Sequence, residues 1–293
     1  TGVGDVARRS GAPMHKTPKE EMMAASVMFS ISGVDRQEFI DDLEANPQTY
    51  KDWESSEWSV EITGKEDAMF SRFLCKPFEQ AMATGLILSN FNTRSGTWGA
   101  LYETGELTYL NLIHLAGCDG TDTNDLTEFE IEGRRQVIRA TEALRRFHPG
   151  CAKAKLRNFG MTLGVRNTYK IDAPYNMTEA DVLHQGRFYD SIGIFPEFVD
   201  GYGILILPIT GRYFQMPYSA LVPKSVFNLL VAGRITGGDK ISHAARRNMM
   251  CCTVSGQGAG AAAAISVKHG LSFQDMDTDL LQKELQRQGA CLH

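Results

Sequence analysis

Residues 228–266, NLLVAGRITGGDKISHAARRNMMCCTVSGQGAGAAAAIS, decide how the rest of this 293-residue chain is interpreted. The stretch opens with the apolar run 229–232, which has the length and composition of a short buried strand. Gly233 and Arg234 follow directly, so the backbone is expected to turn where a cation is presented. The sequence therefore predicts a strand followed by a cationic turn.

Two groups of glycines follow this turn. Gly237 and Gly238 leave a loop without side-chain bulk, which allows a ligand to approach the backbone closely. Residues 255–260, SGQGAG, lead into the alanines 261–264, and alanine is the best helix former. Glycines at a helix start leave N–H groups free at its positive end, which suits a phosphate or another electron-rich group. A tightly packed helix is the alternative, but the preceding GR and GGD elements favour a cofactor-binding loop.

Composition and charge indicate an ordinary globular protein. Hydrophobic residues make up 43% of the chain and charged residues 22%, with a net charge of −5. No basic run is long enough to follow a nucleic-acid backbone, and no apolar run approaches a membrane span. The six cysteines include no CxxC pair, so we expect no metal site and reduced thiols. Without a recognisable signal peptide, the expected location is the cytoplasm.

Hydrophobic periodicity and turn residues predict the main elements. Strands are expected at 25–32, 85–90, 107–115, 204–207 and 213–217, the last two forming a hairpin across Thr210 and Gly211, and 165–171 is expected to be extended. Helices are expected at 36–44, from Asp125 or Thr127 to Phe147, after Thr178, and at 275–288, with a surface loop at 50–58.

The first residues, TGVGDVA, match the pattern GxGxxA through Gly2, Gly4 and Ala7. A dinucleotide-binding fingerprint requires a strand in front of its first glycine, and no residue of this sequence stands there. The segment is therefore predicted to be the end of a structure that begins earlier, and not a dinucleotide motif by itself.

Four stretches together carry a specific resemblance: 1–13, 119–137, 163–171 and 218–266. In their order and spacing the chain resembles the C-terminal part of the FAD-dependent oxidoreductases related to succinate dehydrogenase and fumarate reductase flavoproteins. The resemblance implies an α/β (α+β) fold, the C-terminal part of a glutathione-reductase-like FAD-binding fold with an inserted substrate domain of mixed sheet and helices. It implies a crossing segment at 1–19, a substrate domain at 20–217 and the end of the FAD-binding domain at 218–293.

The cofactor that the resemblance implies is FAD, and its contacts are carried over residue by residue. The crossing segment, the GR turn and the glycine-rich helix start supply them: Thr1, Gly2, Gly4, Asp5, Gly233, Arg234, Gly256, Gln257, Gly258, Ala259 and Gly260. The family's earlier GxGxxG unit, which holds the ADP part of FAD, is absent from this sequence. We therefore expect a heterodimer in which an N-terminal FAD-binding fragment of a cleaved precursor, or a companion subunit, supplies that unit.

The resemblance also implies hydride transfer between a small-molecule substrate and flavin N5. His243 is the predicted acid or base, and a structural role is an equal alternative, whereas Arg246 is a candidate clamp for a substrate carboxylate. Tyr213, with Tyr202 and Tyr218, could polarise a substrate oxygen, although strand tyrosines commonly serve packing. A cofactor-free binding or regulatory subunit that retains the fold is the alternative function.

Overall fold

A computed structural model of the protein describes residues 2–45, 70–71, 76–87, 96–202, 204–206, 208 and 210–293. The chain divides into a first unit, Thr1–Met23 with Arg166–His293, and a second unit, Ala24–Val165. The domain boundaries at residues 19 and 217 stay predictions. Strand 169–171 pairs with strand 14–16, so the segments before residue 24 and after residue 165 belong to the same unit.

The second unit is a five-stranded antiparallel sheet with helices. Its elements are β2 Ala25–Ser32, α2 Arg36–Ala45, β3 Phe70–Ser71, α3 Lys76–Ala83, β4 Gly96–Thr97, β5 Leu107–Leu115, α4 Thr123–Phe147 and β6 Lys155–Phe159. The strand order is β3-β4-β5-β2-β6. Helix α4 packs on one face of this sheet so closely that a Cβ on Gly133 would lie 2.6 Å from Cγ2 of Val27. Glycine at 133 thus sets the distance between helix and sheet.

The first unit combines short strands with helices. Its elements are α1 Asp5–Arg9, β1 Met14–Lys16, β7 Tyr169–Ile171, α5 Glu179–Leu183, β8 Ser191–Pro196, β9 Val199–Gly201, β10 Ile204–Ile206, β11 Tyr213–Pro217, α6 Lys240–Arg246, α7 Met249–His269 and α8 Thr278–Arg287. Single-turn 3-10 helices lie at Lys19–Glu21, Tyr218–Leu221 and Gly233–Ile235. Antiparallel pairs form between β1 and β7, β8 and β11, and β9 and β10.

Local signals predicted many of these elements correctly. The bounds of β2 and β5 match the prediction, and α2 and α8 lie where amphipathic helices were expected. Helix α5 begins at a capping box in which Thr178 accepts from the Asp181 backbone and the Asp181 carboxylate accepts from the Thr178 backbone. Helix α4 ends at Phe147 as predicted, but its N-cap is Asp122, slightly earlier than expected.

Two strand predictions were wrong, and a third is described only in part. The predicted hairpin does not form, because β10 pairs with β9 whereas β11 pairs with β8. The expected strand at 229–232 is extended at Ala232 but joins no sheet of the described chain, and its Val231 amide donates to the Leu221 carbonyl at 2.9 Å. Residues 85–87 form the turn after α3; 88–90 and the predicted loop 50–58 lie outside the described residues.

Helix α7 is the central helix of the first unit and packs on β8 and α8. Among the described residues it is the one helix whose length and composition would allow it to cross a membrane. Core helices of globular proteins have the same properties, so this finding by itself does not indicate a membrane. Its buried side includes Cys251, Ser255, Gly258, Ala262 and Ile265.

Candidate functional site

The start of α7 corrects the sequence prediction. The helix was expected to begin at the glycines 256–260, but it begins at Met249, with Asn248 as its N-cap. The glycines therefore lie inside the helix, where their N–H groups donate to carbonyls one turn earlier. The amides without an acceptor inside the helix are those of the first turn, Met249 to Cys251.

The glycines of α7 serve packing or lie on its exposed side. A Cβ on Gly258 would lie 2.5 Å from Cδ1 of Ile192, so this position allows α7 to pack directly on β8. Gly256, Gln257 and Gly260 are exposed, and Ala259 is half-buried in the core of the first unit. A contact of these residues with FAD stays a prediction, and it cannot be made through free amides at a helix start.

The turn Gly233–Ile235 lies directly beside the first turns of α7. Gly233 adopts φ = 78°, a left-handed conformation that favours glycine, and its amide donates to Ser255 Oγ at 2.9 Å. Ser255 Oγ in turn donates to the Cys252 carbonyl at 2.9 Å. The predicted cationic turn and the helix start are therefore held together by hydrogen bonds.

The crossing segment reaches the same turn. Gly4, at φ = 83°, precedes α1, and a Cβ there would lie 2.8 Å from Met14 Cε and 3.5 Å from Ile235 Cγ2. Gly2 also has a positive φ of 65°, whereas Asp5 pairs with Arg8 at 3.2 Å on the exposed surface of α1. Thr1 lies outside the described residues. The structure thus places Gly4 beside Ile235 of the GR turn, and a contact of Thr1, Gly2, Gly4 or Asp5 with FAD stays a prediction.

Arg234 is the cation of this site. Its side chain is half-buried, and burial lowers the pKa of its guanidinium. No hydrogen bond or ion pair of its guanidinium is found within the described part of the chain, and the nearby charge of Arg247 also lowers its pKa. Arginine side chains and the free amides of a helix start are both groups that attract anionic or electron-rich ligands, and a contact of Gly233 or Arg234 with FAD stays a prediction.

Arg246 is used by the protein itself. It is 1% exposed, and Nη1 donates to the Thr236 carbonyl at 3.0 Å and to Thr236 Oγ1. Nη2 lies 3.4 Å from Ser242 Oγ, and a Cβ on Gly238 would lie 2.3 Å from that same Nη2. The space that Gly238 leaves open is thus filled by Arg246 and not by a ligand. Arg246 therefore braces the loop after the GR turn and is not available to clamp a carboxylate in this structure.

His243 lies on α6, not on the loop that the sequence predicted, and is 1% exposed. Its Nε2 lies 3.1 Å from the Arg166 carbonyl, whereas its buried Nδ1 has no hydrogen-bond partner among the described residues. Burial, together with the charges of Lys170, Arg246 and Arg247, lowers the pKa of this imidazole well below its ordinary value of 6.5. The ring is therefore neutral at pH 7, the form that can accept a proton.

A group of buried cations around His243 was not predicted. Lys170 donates to Asn167 Oδ1 at 3.0 Å and to Thr17 Oγ1 at 3.1 Å, and burial with the charge of Arg246 lowers its pKa to about 8. Arg247 pairs with Asp200 at 2.8 Å. The only sign in the sequence that Lys170 is buried was its position between two apolar residues of a short extended run.

The three candidate tyrosines contact different residues. Tyr213 is in β11, and the guanidinium of Arg187 lies 3.9 Å from its ring centroid and donates to its carbonyl. The Tyr218 hydroxyl donates to the Phe273 carbonyl at 2.9 Å, a packing role. The Tyr202 hydroxyl accepts from Asn167 Nδ2 at 2.7 Å, and burial raises its pKa to about 12. Tyr202 is thus the candidate connected to the buried cations, whereas the catalytic role of Tyr213 stays a prediction.

The described cysteines form no disulfide near this site, and the described residues provide no metal-ligand cluster. Cys251 is buried, and burial raises its pKa to about 12, whereas Cys252 Sγ lies 3.3 Å from the Arg247 carbonyl. Both are free thiols, as expected for neighbours that point to different sides of a helix. Across the described ranges, no cluster of three or more histidine, cysteine or acidic side chains could hold a metal ion.

Comparison with known proteins gives one match. A family model described as FAD dependent oxidoreductase matches residues 1–285, which include the GR turn, α6 and α7. No curated protein and no solved structure matches the chain.

Proposed function

This chain belongs to the FAD dependent oxidoreductase family, and on that premise we propose that it takes part in hydride transfer between a small-molecule substrate and flavin N5, as a dehydrogenase or an oxidase. Family membership indicates FAD as the cofactor. When bound, FAD supplies the hydride acceptor, while the protein supplies binding, orientation and proton transfer. A relationship to the succinate dehydrogenase and fumarate reductase flavoproteins, and a glutathione-reductase-like arrangement of the FAD-binding fold, are part of this proposal.

The observation that carries the proposal is Arg234, unpaired within the described chain, beside the first turn of α7. Negative charge develops on a flavin when it is reduced, and FAD also carries phosphates, so positive potential fits both parts. Gly233 precedes this cation without side-chain bulk, and Gly4 lies beside Ile235 of the same turn. We propose that Arg234 and the amides of Met249 to Cys251 hold an electron-rich part of FAD.

His243 and Tyr202 are the proposed groups for proton transfer. The imidazole is neutral, and its Nδ1, which has no partner among the described residues, is the atom that we propose receives the proton as hydride moves. Tyr202 remains protonated because burial raises its pKa, and a protonated hydroxyl can donate a hydrogen bond to a substrate oxygen. Lys170 shares Asn167 with Tyr202, and the charges of Lys170 and Arg247 act on His243, so the positive potential there favours an anionic substrate.

Substitution of Arg234 tests the cofactor site. Arg234→Gln removes the charge from a half-buried side chain that pairs with no described residue, so the fold should be retained. We expect its flavin affinity to fall by about tenfold or more, since a hydrogen bond to a charged group contributes roughly 1.5–3 kcal/mol. Flavin absorbance per mole of purified protein measures this loss, with Arg135→Gln on the exposed side of α4 as the matched control. Unchanged flavin affinity in a folded Arg234→Gln protein would refute this site.

We further propose that a polypeptide carrying a strand–GxGxxG–helix unit completes the FAD site, as a fragment of the same precursor or as a companion subunit. An exposed side of α7 supports this proposal. Met249, Met250 and Val267 are 87%, 72% and 87% exposed, and a Cβ on Gly256 or Gly260, which lie between them, would have no described atom within 4 Å. Small residues spaced by four on a helix allow another backbone to approach closely.

The partner proposal is tested by filling that side of α7. Gly260→Leu places its first side-chain carbon in space that no described atom occupies and improves helix propensity, so the chain itself should fold normally. We expect it to lose co-purification of the second polypeptide, seen as a second band on denaturing electrophoresis, whereas Arg135→Leu should retain it. A flavin-containing preparation with a single band would contradict the partner, while leaving the test of Arg234 valid.

His243 has its own test. His243→Gln retains a hydrogen-bonding side chain of similar size that does not titrate. If His243 carries the proton, turnover falls by about 10²–10⁴-fold with flavin content unchanged. If the glutamine variant has wild-type turnover across the pH range, His243 is structural and Tyr202→Phe becomes the next variant to measure.

A further inference from the structure

The second unit contains a cavity that the proposed flavin chemistry does not use. It has a volume of about 370 Å³, within the usual size range of small-molecule sites. Its lining consists of polar and aromatic residues from β2, the 101–107 hairpin, β5 and β6: Ser30, Tyr102, Glu106, Thr108, Tyr109, Arg157 and Asn158. All of these residues belong to the second unit, so the cavity is formed within it.

The cavity lies on the sheet face opposite α4. Val27 of β2 faces Gly133 of α4, and Ser30, three residues later on a strand whose side chains alternate, points to the other side. A sheet of this kind usually leaves its second face to solvent. Here that face carries a concave site and not a flat polar surface.

Two β-bulges place the lining residues. Between β2 and β5 the pairs Ile31–Leu107 and Phe29–Leu110 leave one extra residue in β5, next to Tyr109. Between β2 and β6 the pairs Ile31–Leu156 and Ser30–Asn158 leave Arg157 as the extra residue. Bulges redirect side chains and are frequent beside binding and active sites. These bulges on either side of β2 thus direct residues into the same cavity.

Tyr109 shows the clearest sign of a built site. Its φ is 53°, a conformation that is unfavourable for an aromatic residue and that tends to be retained at functional positions. Its amide lies 3.4 Å from Ser30 Oγ, and a Cβ on Gly99 would lie 2.7 Å from Cδ2 of its ring. The ring is therefore seated against Gly99 while 64% of the residue remains exposed. The protein holds a large aromatic face open to solvent at the cost of backbone strain.

The charges of the cavity cancel. Arg157 Nη1 pairs with Glu106 Oε2 at 3.1 Å, and these two are the only charged residues in the lining that the described chain provides. Among the described residues, no hydrogen-bond partner is found for the hydroxyls of Tyr102 and Tyr109 or for the Asn158 side-chain amide. A neutral ligand with many hydroxyl groups suits this chemistry, because its hydroxyls meet donors and acceptors and its C–H faces stack on tyrosine.

We propose that this cavity is a binding site for a neutral carbohydrate, which stacks on Tyr109 and hydrogen-bonds to Glu106, Arg157 and Asn158. The site is independent of the flavin proposal. Tyr102, in the 101–107 hairpin, also lines the site. Its amide donates to the Glu106 carbonyl at 2.9 Å, which holds the two residues beside each other. The exposed rings then have a function that explains their exposure.

The test measures binding of D-glucose and cellobiose to the full chain by ligand-observed NMR, with D-glucuronate as the charged comparison. We expect the neutral sugars to bind, and Tyr109→Ala to weaken binding by about tenfold. Tyr109→Phe should bind within a few-fold of wild type because it retains the ring. Tyr189→Ala, which removes an exposed tyrosine of the first unit, should leave binding unchanged.

Tyr102→Ala provides a second variant in case Tyr109→Ala does not fold, and thermal unfolding identifies that case. The proposal is overturned if neither neutral sugar binds at tens of millimolar, or if folded Tyr109→Ala and Tyr102→Ala proteins bind as wild type does. Tighter binding of glucuronate than of glucose would overturn the assignment of a neutral ligand. None of these outcomes depends on flavin, so failure here leaves the proposed function unaffected.

Discussion

The turn Gly233–Ile235 and helix α6, Lys240–Arg246, are close in sequence and each contains an arginine, but the structure uses the two arginines differently. Arg234 is half-buried and has no partner within the described part of the chain. Arg246 is fully buried, and Thr236 and Ser242 accept from its guanidinium. A buried cation whose two terminal nitrogens are hydrogen-bonded by the protein maintains the fold, whereas a half-buried cation without an acceptor is available to a ligand.

The glycines show the same contrast. Gly238 is required because Arg246 Nη2 and the Met177 carbonyl occupy the space where its Cβ would lie, at 2.3 Å and 2.7 Å. Gly260 has open space on its outer side, as far as the described residues extend. Both were interpreted from the sequence as positions that leave room for a cofactor. Only at the second does such room exist on the described surface of this chain.

The two arginines should differ most in their effect on stability. Arg246→Ala removes hydrogen bonds and packing at a fully buried position, so we expect the free energy of unfolding to fall by roughly 2–4 kcal/mol. Arg234→Ala should change it by less than about 1 kcal/mol, since no described residue pairs with it. Urea unfolding of both variants measures the difference. Equal losses would show that Arg234 is structural as well.

A methyl group distinguishes the two glycines. Gly238→Ala forces its Cβ into Arg246 and the Met177 carbonyl, and such overpacking costs roughly 1–3 kcal/mol of stability. Gly260→Ala contacts no described atom and should stabilise α7 by up to about 1 kcal/mol. Opposite signs in thermal unfolding are the expected result. A loss at Gly260 comparable to that at Gly238 would contradict the open surface of α7.

The buried Lys170 predicts a pH dependence of stability that Arg234 does not contribute to. The pKa of Lys170 is about 8 in the folded protein, below its ordinary value of 10.5. Between these values the unfolded chain holds the proton that the folded protein has released, so stability rises with pH across this window. The stability of the folded protein is correspondingly lower when the pH falls below about 8. The slope is on the order of 1 kcal/mol per pH unit.

Lys170→Met isolates this effect from other titrating groups. Its stability should rise less steeply than that of wild type between pH 8 and about 10.5. Arg234→Ala provides the control, because its residual pH profile should parallel wild type. If wild type and Lys170→Met give parallel profiles, Lys170 retains its ordinary pKa in the folded protein.

Predictions from sequence were reliable where the determining contacts are local. The bounds of β2 and β5 followed from residue alternation and apolar content, and the start of α5 followed from the Thr178 cap. The pairing of strands was less predictable. The turn signal at 210–211 indicates that the two flanking strands, β10 and β11, pair with each other, but it does not reveal that β9 and β8 pair with them instead. The predicted start of α7 was wrong because the glycines were expected to begin the helix and here lie within it.

The sequence by itself determined the family of this protein, the order of its main elements and the segments that meet at the GR turn, because those depend on motifs and short-range periodicity. Only the tertiary structure decided which polar groups remain available. Arg246 is engaged by Thr236, Lys170 by Thr17, and His243 by the carbonyl of Arg166, and the last two partners lie 153 and 77 residues away. Burial and hydrogen bonding across such separations depend on packing, which no local pattern of residues encodes.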